Sequence, residues 1–340
     1  MTIHGLGILA PGGAPTPFSY EPGPLQPGEV SIRVTHCGVC HSDVHLRHNQ
    51  WGITSYPFIP GHEVIGEVAA LESAVTSLRK GQRVGVGWIV GACKQCESCK
   101  AGDNHLCAQP RWMNVGRHGG FADSVQVDAD YVVPIPEGLS SADAAPLLCA
   151  GLTTFSPLVE HGVKAGMKVG VVGIGGLGHL AVQIARALGC EVTAFTSSAD
   201  KEAEAKSLGA AKVVNTAEAG ALAKQAGTLD FILDCSSADL DWNGFVGALR
   251  PRGKLCVIGL PGTEVTVGGI GLILGQRSVV GSTVGSVGTL RRMLDFAVQH
   301  GVRARIEKFP MAQAGEALNR LEKNQVRYRA VLEQTPATAP

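Results

Sequence analysis

The sequence predicts an α/β protein in two parts, one β-rich and one a doubly wound parallel sheet. Residues 1 to about 150 alternate short apolar runs with glycine and proline punctuation. Over about 150 to 285, apolar runs of strand type alternate with stretches of helical spacing. Between one such strand and the next helix stands Gly173-Ile174-Gly175-Gly176-Leu177-Gly178, a turn able to approach a pyrophosphate.

In the first part, residues 29–40, 63–73, 82–90 and 123–136 read as strands joined by turns. Residues 142–163 read as helices, 168–172 as a short buried strand and 177–188 as a helix. Residues 191–195 return to strand, 201–208 to helix, and 211–215, 230–236 and 253–260 supply further parallel-type strands. From 290 to 329 there are two helical patterns, then a strand-like 329–334 and a short disordered end, TPATAP. One domain therefore takes residues 1–150 and 286–340, and the other takes 151–285.

Composition narrows the function. Apolar residues make up 45%, charged residues 17% and glycines number 45, the profile of a globular chain rich in tight turns. The apolar stretches are shorter than a membrane span, and MTIHGLGILAPGG lacks the features of a signal peptide, so no membrane partner and a cytoplasmic location are expected. Net charge is zero, which argues against nucleic acid as a partner.

Cys93, Cys96, Cys99 and Cys107 are spaced C-x-x-C-x-x-C-x7-C. Four thiolates at that spacing close a tetrahedron around one zinc ion, and a full sulfur shell leaves no open position for chemistry. This metal is expected to be structural. A disulfide framework fits poorly, because a chain of this length builds cores without covalent staples.

In the glycine turn, backbone amides approach a pyrophosphate held at the positive end of the following helix. The next strand ends in Thr196-Ser197-Ser198, with Lys201 following. An NAD site places a carboxylate there. Hydroxyls and an ammonium suit a 2′-phosphate instead, so NADP(H) is expected over NAD(H). Cys40, His62 and Cys149 remain as further candidate ligands, but their separation in sequence leaves ordinary core roles equally open.

Taken together, CGVCHSDVH, PGHEVIGEV, CKQCESCKAGDNHLC and GIGGLG stand in one order. The chain thereby resembles the zinc-dependent alcohol dehydrogenases of the medium-chain dehydrogenase/reductase superfamily, over nearly its whole length. Thr196-Ser197-Ser198, YPFIPGHE and VRYRAVL look most like the cinnamyl-alcohol-dehydrogenase-type branch of NADPH-dependent aldehyde reductases. The resemblance implies a GroES-like catalytic domain, a Rossmann nucleotide domain and a homodimer. It also implies a small alcohol or aldehyde as substrate and two zinc ions per chain.

Carried over by residue, it assigns Cys40, His62 and Cys149 to catalytic zinc, with Glu63 as a transient ligand and Asp43 orienting the histidine. Ser42 and His45 take the places of a proton relay, a role that suits a hydroxyl and an imidazole. His41 and Arg329 match contacts to cofactor phosphate, with Arg327 two residues from the latter, and Thr153 matches the residue on the nicotinamide face. Trp51 and Trp88 match the walls of the substrate channel, which would favour apolar or aromatic aldehydes. Cys37, Cys190, Cys235 and Cys256 read as core.

Three rivals compete with this reading. A zinc-free quinone or enone reductase of the same superfamily lacks the paired catalytic ligands and usually the four-cysteine lobe. A nucleic-acid-binding zinc module would need a basic stripe near Cys93–Cys107, which the sequence lacks. A noncatalytic storage or regulatory protein would not need the full set of Cys40, Ser42, His62 and Cys149. Metal content separates the first from the leading reading.

Overall fold

In the computed structural model, residues 2–334 are described; the TPATAP end lies outside them. They form two compact units, one from the described parts of residues 1–149, 285–299 and 303–340, the other from 150–284 with 300–302.

The first unit is built on a seven-stranded sheet. Its path runs Ile306–Pro310, Arg329–Glu333, Glu29–Val39, Glu63–Leu71, Arg83–Val86 and Val133–Pro134, with Ser124–Asp128 also paired to Glu29–Val39. Alternating Val30, Ile32 and Val34 face a core with Val64, Val68, Val84, Val125 and Val127, so the long strand is held by its apolar face. Pairing irregularities at Ser31/Ile32 and Val34/His36 set the register in which Gly38 lies opposite Glu63. A Cβ at Gly38 would sit 1.8 Å from the Glu63 carboxylate. Only glycine leaves that carboxylate room.

The long strand runs into Cys40, which caps helix His41–Arg47. The Asp43 carboxylate reaches back to accept from the Cys40 amide at 2.9 Å, so the cap and the candidate ligand share one residue. Ile89–Gly91 and Arg111–Trp112 pair antiparallel and close the base of the loop bearing the four cysteines.

The second unit is a six-stranded parallel sheet. Its order is Lys212–Asn215, Glu191–Thr196, Lys168–Val172, Leu229–Asp234, Leu249–Val257 and Ser278–Gly281. The order reverses between the third and fourth of these strands, which marks the ligand crevice of a doubly wound sheet. The glycine turn leaves the third strand there. Gly173 has φ +82°, and a Cβ at Gly178 would lie 1.8 Å from the Gly173 carbonyl oxygen, which is the close strand-to-helix approach the motif demands.

Several elements differ from expectation. The helical stretch 142–163 is broken at Cys149, between the 3-10 turn Ala145–Leu148 and helix Ala150–Glu160. The tail contains a strand, Ile306–Pro310, parallel to Arg329–Glu333, where only helices and one strand were expected. Its sequence, IEKFP, is too polar and short to signal a strand, and pairing decides it. Hairpin Ile3–Gly7 with Thr16–Tyr20 was likewise not anticipated. No single helix among the described residues is long and apolar enough to cross a membrane.

Asp234 ends the fourth strand of the parallel sheet fully buried. One oxygen accepts from the Ser236 amide at 2.9 Å, the other has no partner, and burial pushes its pKa up to about 7. A carboxyl whose folded pKa exceeds its unfolded value costs stability as it ionises, so the penalty grows between about pH 4 and 7 and is complete above. Asp234→Asn should therefore raise unfolding free energy by roughly 1–4 kcal/mol at pH 8 and by little near pH 4. Urea denaturation at the two pH values checks this, and an equal effect at both would contradict it.

Candidate active site

Four donors from distant parts of the chain converge in the first unit. Cys40 leaves the long strand, His62 and Glu63 open the strand beside it, and Cys149 sits at the helix break. Ligand atoms from all four lie within 4.8 Å of one another. His62 and Glu63 have no exposure.

Asp43 fixes this cluster. Its Oδ1 accepts from the Gly61 amide at 2.9 Å, His62 Nδ1 at 3.2 Å and Asn114 Nδ2 at 2.9 Å, while Oδ2 takes the Cys40 amide. A carboxylate acceptor at Nδ1 assigns the imidazole proton to that nitrogen and turns Nε2 toward the sulfurs. Nε2 is buried without a hydrogen-bond partner. An orphaned acceptor beside two sulfurs and a carboxylate fits a zinc ion with three protein ligands and one open position.

The electrostatics fit the same cation. Hydrogen bonding from the Cys149 thiol, with the Arg329 and His62 charges close by, holds the Cys40 thiol well below its usual pKa despite burial. The same hydrogen bond and burial push Cys149 well above its own. Burial opposes a charge on His62, but Asp43 and Cys40 outweigh it and raise its pKa. Protons thus hold together a group of donors that a divalent ion would hold instead, with their release.

Burial raises the Glu63 carboxyl to about 7, with Arg329 pulling the other way. The Arg329 guanidinium is buried and donates to Glu63 Oε1, leaving Oε2 unpartnered. The resemblance placed Arg329 at a cofactor phosphate; the structure gives its guanidinium Glu63 as partner. Arg327 instead donates its backbone N–H to Glu307 at 2.7 Å.

Ser42 Oγ lies 3.7 Å from Cys40 Sγ, and His41 at the helix start is exposed. His45 stacks on Trp51 at 5.0 Å and hydrogen-bonds Gln50. Trp88 meets Trp51 edge-on at 6.2 Å and the His62 ring at 4.9 Å. Trp112 continues the row, stacked 6.2 Å from Trp88. The sequence reading missed both Trp112 and Asn114. Ile89 pairs with Trp112, so recognition of the strand pair could have set the third indole near Trp88.

Cys93, Cys96, Cys99 and Cys107 also bring their sulfurs within 4.8 Å of one another. Backbone amides of Gln95 and Cys96 point at the Cys93 sulfur, at 3.5 and 3.3 Å, and lower its thiol to about 6. Those of Cys93 and Gln109 point at Cys107. All ten cysteines are free.

In the second unit, Gly175, Gly176 and Leu177 are half-buried along the turn between Gly173 and Gly178. Thr196 Oγ1 accepts from the Ser198 amide at 3.2 Å, and Ser197 is exposed. Lys201 Nζ donates to the Ile174 carbonyl at 2.9 Å, so it links the end of the second strand to the glycine turn. Thr153 is half-buried on its helix, whereas Thr154 turns its hydroxyl back to the Ala150 and Gly151 carbonyls.

Two family models match the chain: the alcohol dehydrogenase GroES-like domain over residues 26–137 and the zinc-binding dehydrogenase domain over 176–299. Aldehyde reductase AdhA of Synechocystis is 45% identical over 97% of this chain and 98% of its own length. A cinnamyl alcohol dehydrogenase of Sorghum bicolor superposes with a TM-score of 0.94 at 40% identity, covering 98% of each chain. One of Helicobacter pylori, complexed with NADP(H), gives 0.90 at 30% identity, also covering 98% of each. The chain belongs to the zinc-dependent alcohol dehydrogenases of the medium-chain superfamily, in the cinnamyl-alcohol-dehydrogenase-type branch, and is an alcohol–aldehyde oxidoreductase.

Cys99→Ser and Cys149→Ser should each lose roughly one metal equivalent per chain by native mass spectrometry. The first should also lower the melting temperature, because an ion held by these four sulfurs would close the loop that bears them. Two equivalents retained in either variant would remove that cysteine from its site.

Proposed function

We propose that this chain reduces apolar or aromatic aldehydes to primary alcohols with NADPH, holding one structural and one catalytic zinc ion, and catalyses the reverse oxidation. The observation that supports it most is the convergence of Cys40, His62 and Cys149, with an unpartnered Nε2 turned inward by Asp43. When bound, zinc supplies Lewis-acid polarisation of the substrate oxygen and NADPH supplies the hydride.

The chain's residues do the rest. Cys40, His62 and Cys149 hold the ion and leave one position open to substrate. Glu63, anchored by Arg329, keeps a second carboxylate oxygen in reserve beside them. The Ser42 hydroxyl accepts and donates at once, and the His45 imidazole takes the proton onward. Trp51, Trp88 and Trp112 exclude water and offer flat apolar faces to a substrate tail.

The turn Gly173–Gly178 would cradle the pyrophosphate, and Thr196, Ser197, Ser198 and Lys201 the 2′-phosphate. Family resemblance sets His41 at a cofactor phosphate and Thr153 at the nicotinamide. The ten free cysteines suit a reducing compartment such as the cytoplasm.

A homodimer is the assembly we propose. Edge strand Ser278–Gly281 follows in the chain on helix Gly269–Gly275, whose Ile270, Ile273 and Leu274 are 74%, 74% and 83% exposed. A sheet edge and an exposed apolar patch each favour pairing with a second copy.

In steady-state assays with benzylic, cinnamyl and aliphatic aldehydes, NADPH should be preferred over NADH at least tenfold in kcat/KM, about 1.4 kcal/mol. Lys201→Ala should erode that ratio, and unchanged selectivity would take Lys201 out of the site. Ile273→Glu with Leu274→Glu should shift the mass measured by light scattering from two chains to one. A wild-type mass of one chain would refute the dimer.

A further inference from the structure

Asn114 has the marks of a residue kept for its side chain at some cost to the fold. It lies in the turn two residues beyond strand Arg111–Trp112, adopts φ +56° and is 1% exposed. Asparagine tolerates that backbone better than most residues, yet glycine would fill it with no strain. Burying an amide there adds a further burden, because its Oδ1 has no partner. Among the described residues its side chain makes one hydrogen bond, from Nδ2 to Asp43 Oδ1 at 2.9 Å.

The orientation of that amide is fixed by chemistry. Asp43 Oδ1 already accepts from the Gly61 amide and His62 Nδ1, so only the NH₂ end of Asn114 can face it. A carboxylate anchored only by the Gly61 and Cys40 amides is held along the backbone. Among the described residues Asn114 adds the one side-chain donor besides the histidine itself, and it comes from the turn that follows the strand closing the four-cysteine lobe. His62 makes the longest of the three contacts to Oδ1, 3.2 Å against 2.9 Å for the other two.

We infer that Asn114 is a positioning residue: it holds the Asp43 carboxylate in the place from which Asp43 sets the tautomer and aim of His62. This rests on reading Cys40, His62 and Cys149 as metal ligands. Among the described residues Asn114 bonds Asp43 and none of the three ligand atoms, so its effect on metal binding should run through Asp43 alone.

The test is cobalt binding to metal-stripped full-length protein, followed by visible absorption against competing chelators. Wild type should take up two Co²⁺ ions, one in a four-sulfur and one in a mixed sulfur–nitrogen environment. Asn114→Gly suits the backbone and should fold. It should weaken the mixed site about 10- to 100-fold and shift its ligand-field bands, while leaving the four-sulfur site unchanged. In an Asp43→Asn background the same substitution should cost less than about threefold, because the route is already cut.

An unchanged mixed site in Asn114→Gly would overturn the inference, as would an undiminished loss in the Asp43→Asn background. A wild type that takes up cobalt only at the four-sulfur site would instead overturn the ligand reading, and this inference with it.

Discussion

A single buried carboxylate organises the first unit. Asp43 caps the helix that begins after Cys40, accepts the Gly61 amide that leads into His62, and bonds the imidazole itself. Those contacts tie two segments about twenty residues apart into one geometry before any ion arrives. A buried carboxylate is stable only while its acceptors are occupied. The candidate metal site is therefore preorganised by hydrogen bonds, and a cation would not have to gather the ligands.

Around that centre, neutral and charged roles are separated. The Glu63–Arg329 pair supplies a buried charge couple at the strand start, opposite a glycine that leaves it space. The indole row of Trp51, Trp88 and Trp112 supplies apolar surface on the side where Trp88 meets His62. The second unit, by itself, holds at the order reversal of its parallel sheet a glycine turn whose Gly175, Gly176 and Leu177 are half-buried. Its Lys201 is already tied to that turn through the Ile174 carbonyl.

Local chemistry was legible in the sequence, and convergence was not. The four cysteines lie in one short loop, so spacing alone sufficed to group them. The glycine turn was legible because a buried strand and an amphipathic helix flank it. Cys40, His62 and Cys149 are joined only by sheet register and a helix break, and family resemblance had to bring them together. The pairing of Arg329 with Glu63 depends on a C-terminal strand lying beside Glu29–Val39, which no local pattern reveals. Asn114 gave even less signal, since a lone asparagine after a two-residue strand looks like any turn. Strand Ile306–Pro310 escaped notice because its partner, not its own residues, makes it a strand.

The opposition of Gly38 and Glu63 has a consequence for how such chains diverge. Two irregular pairings upstream deliver that match, so a residue inserted or deleted among positions 31–38 would slide a bulkier neighbour into the space the carboxylate occupies. Length variation is free to accumulate in surface loops, but this ladder is closed to it. Chimaeras assembled from related dehydrogenases should exchange both strands as a single cassette, with crossovers placed outside them.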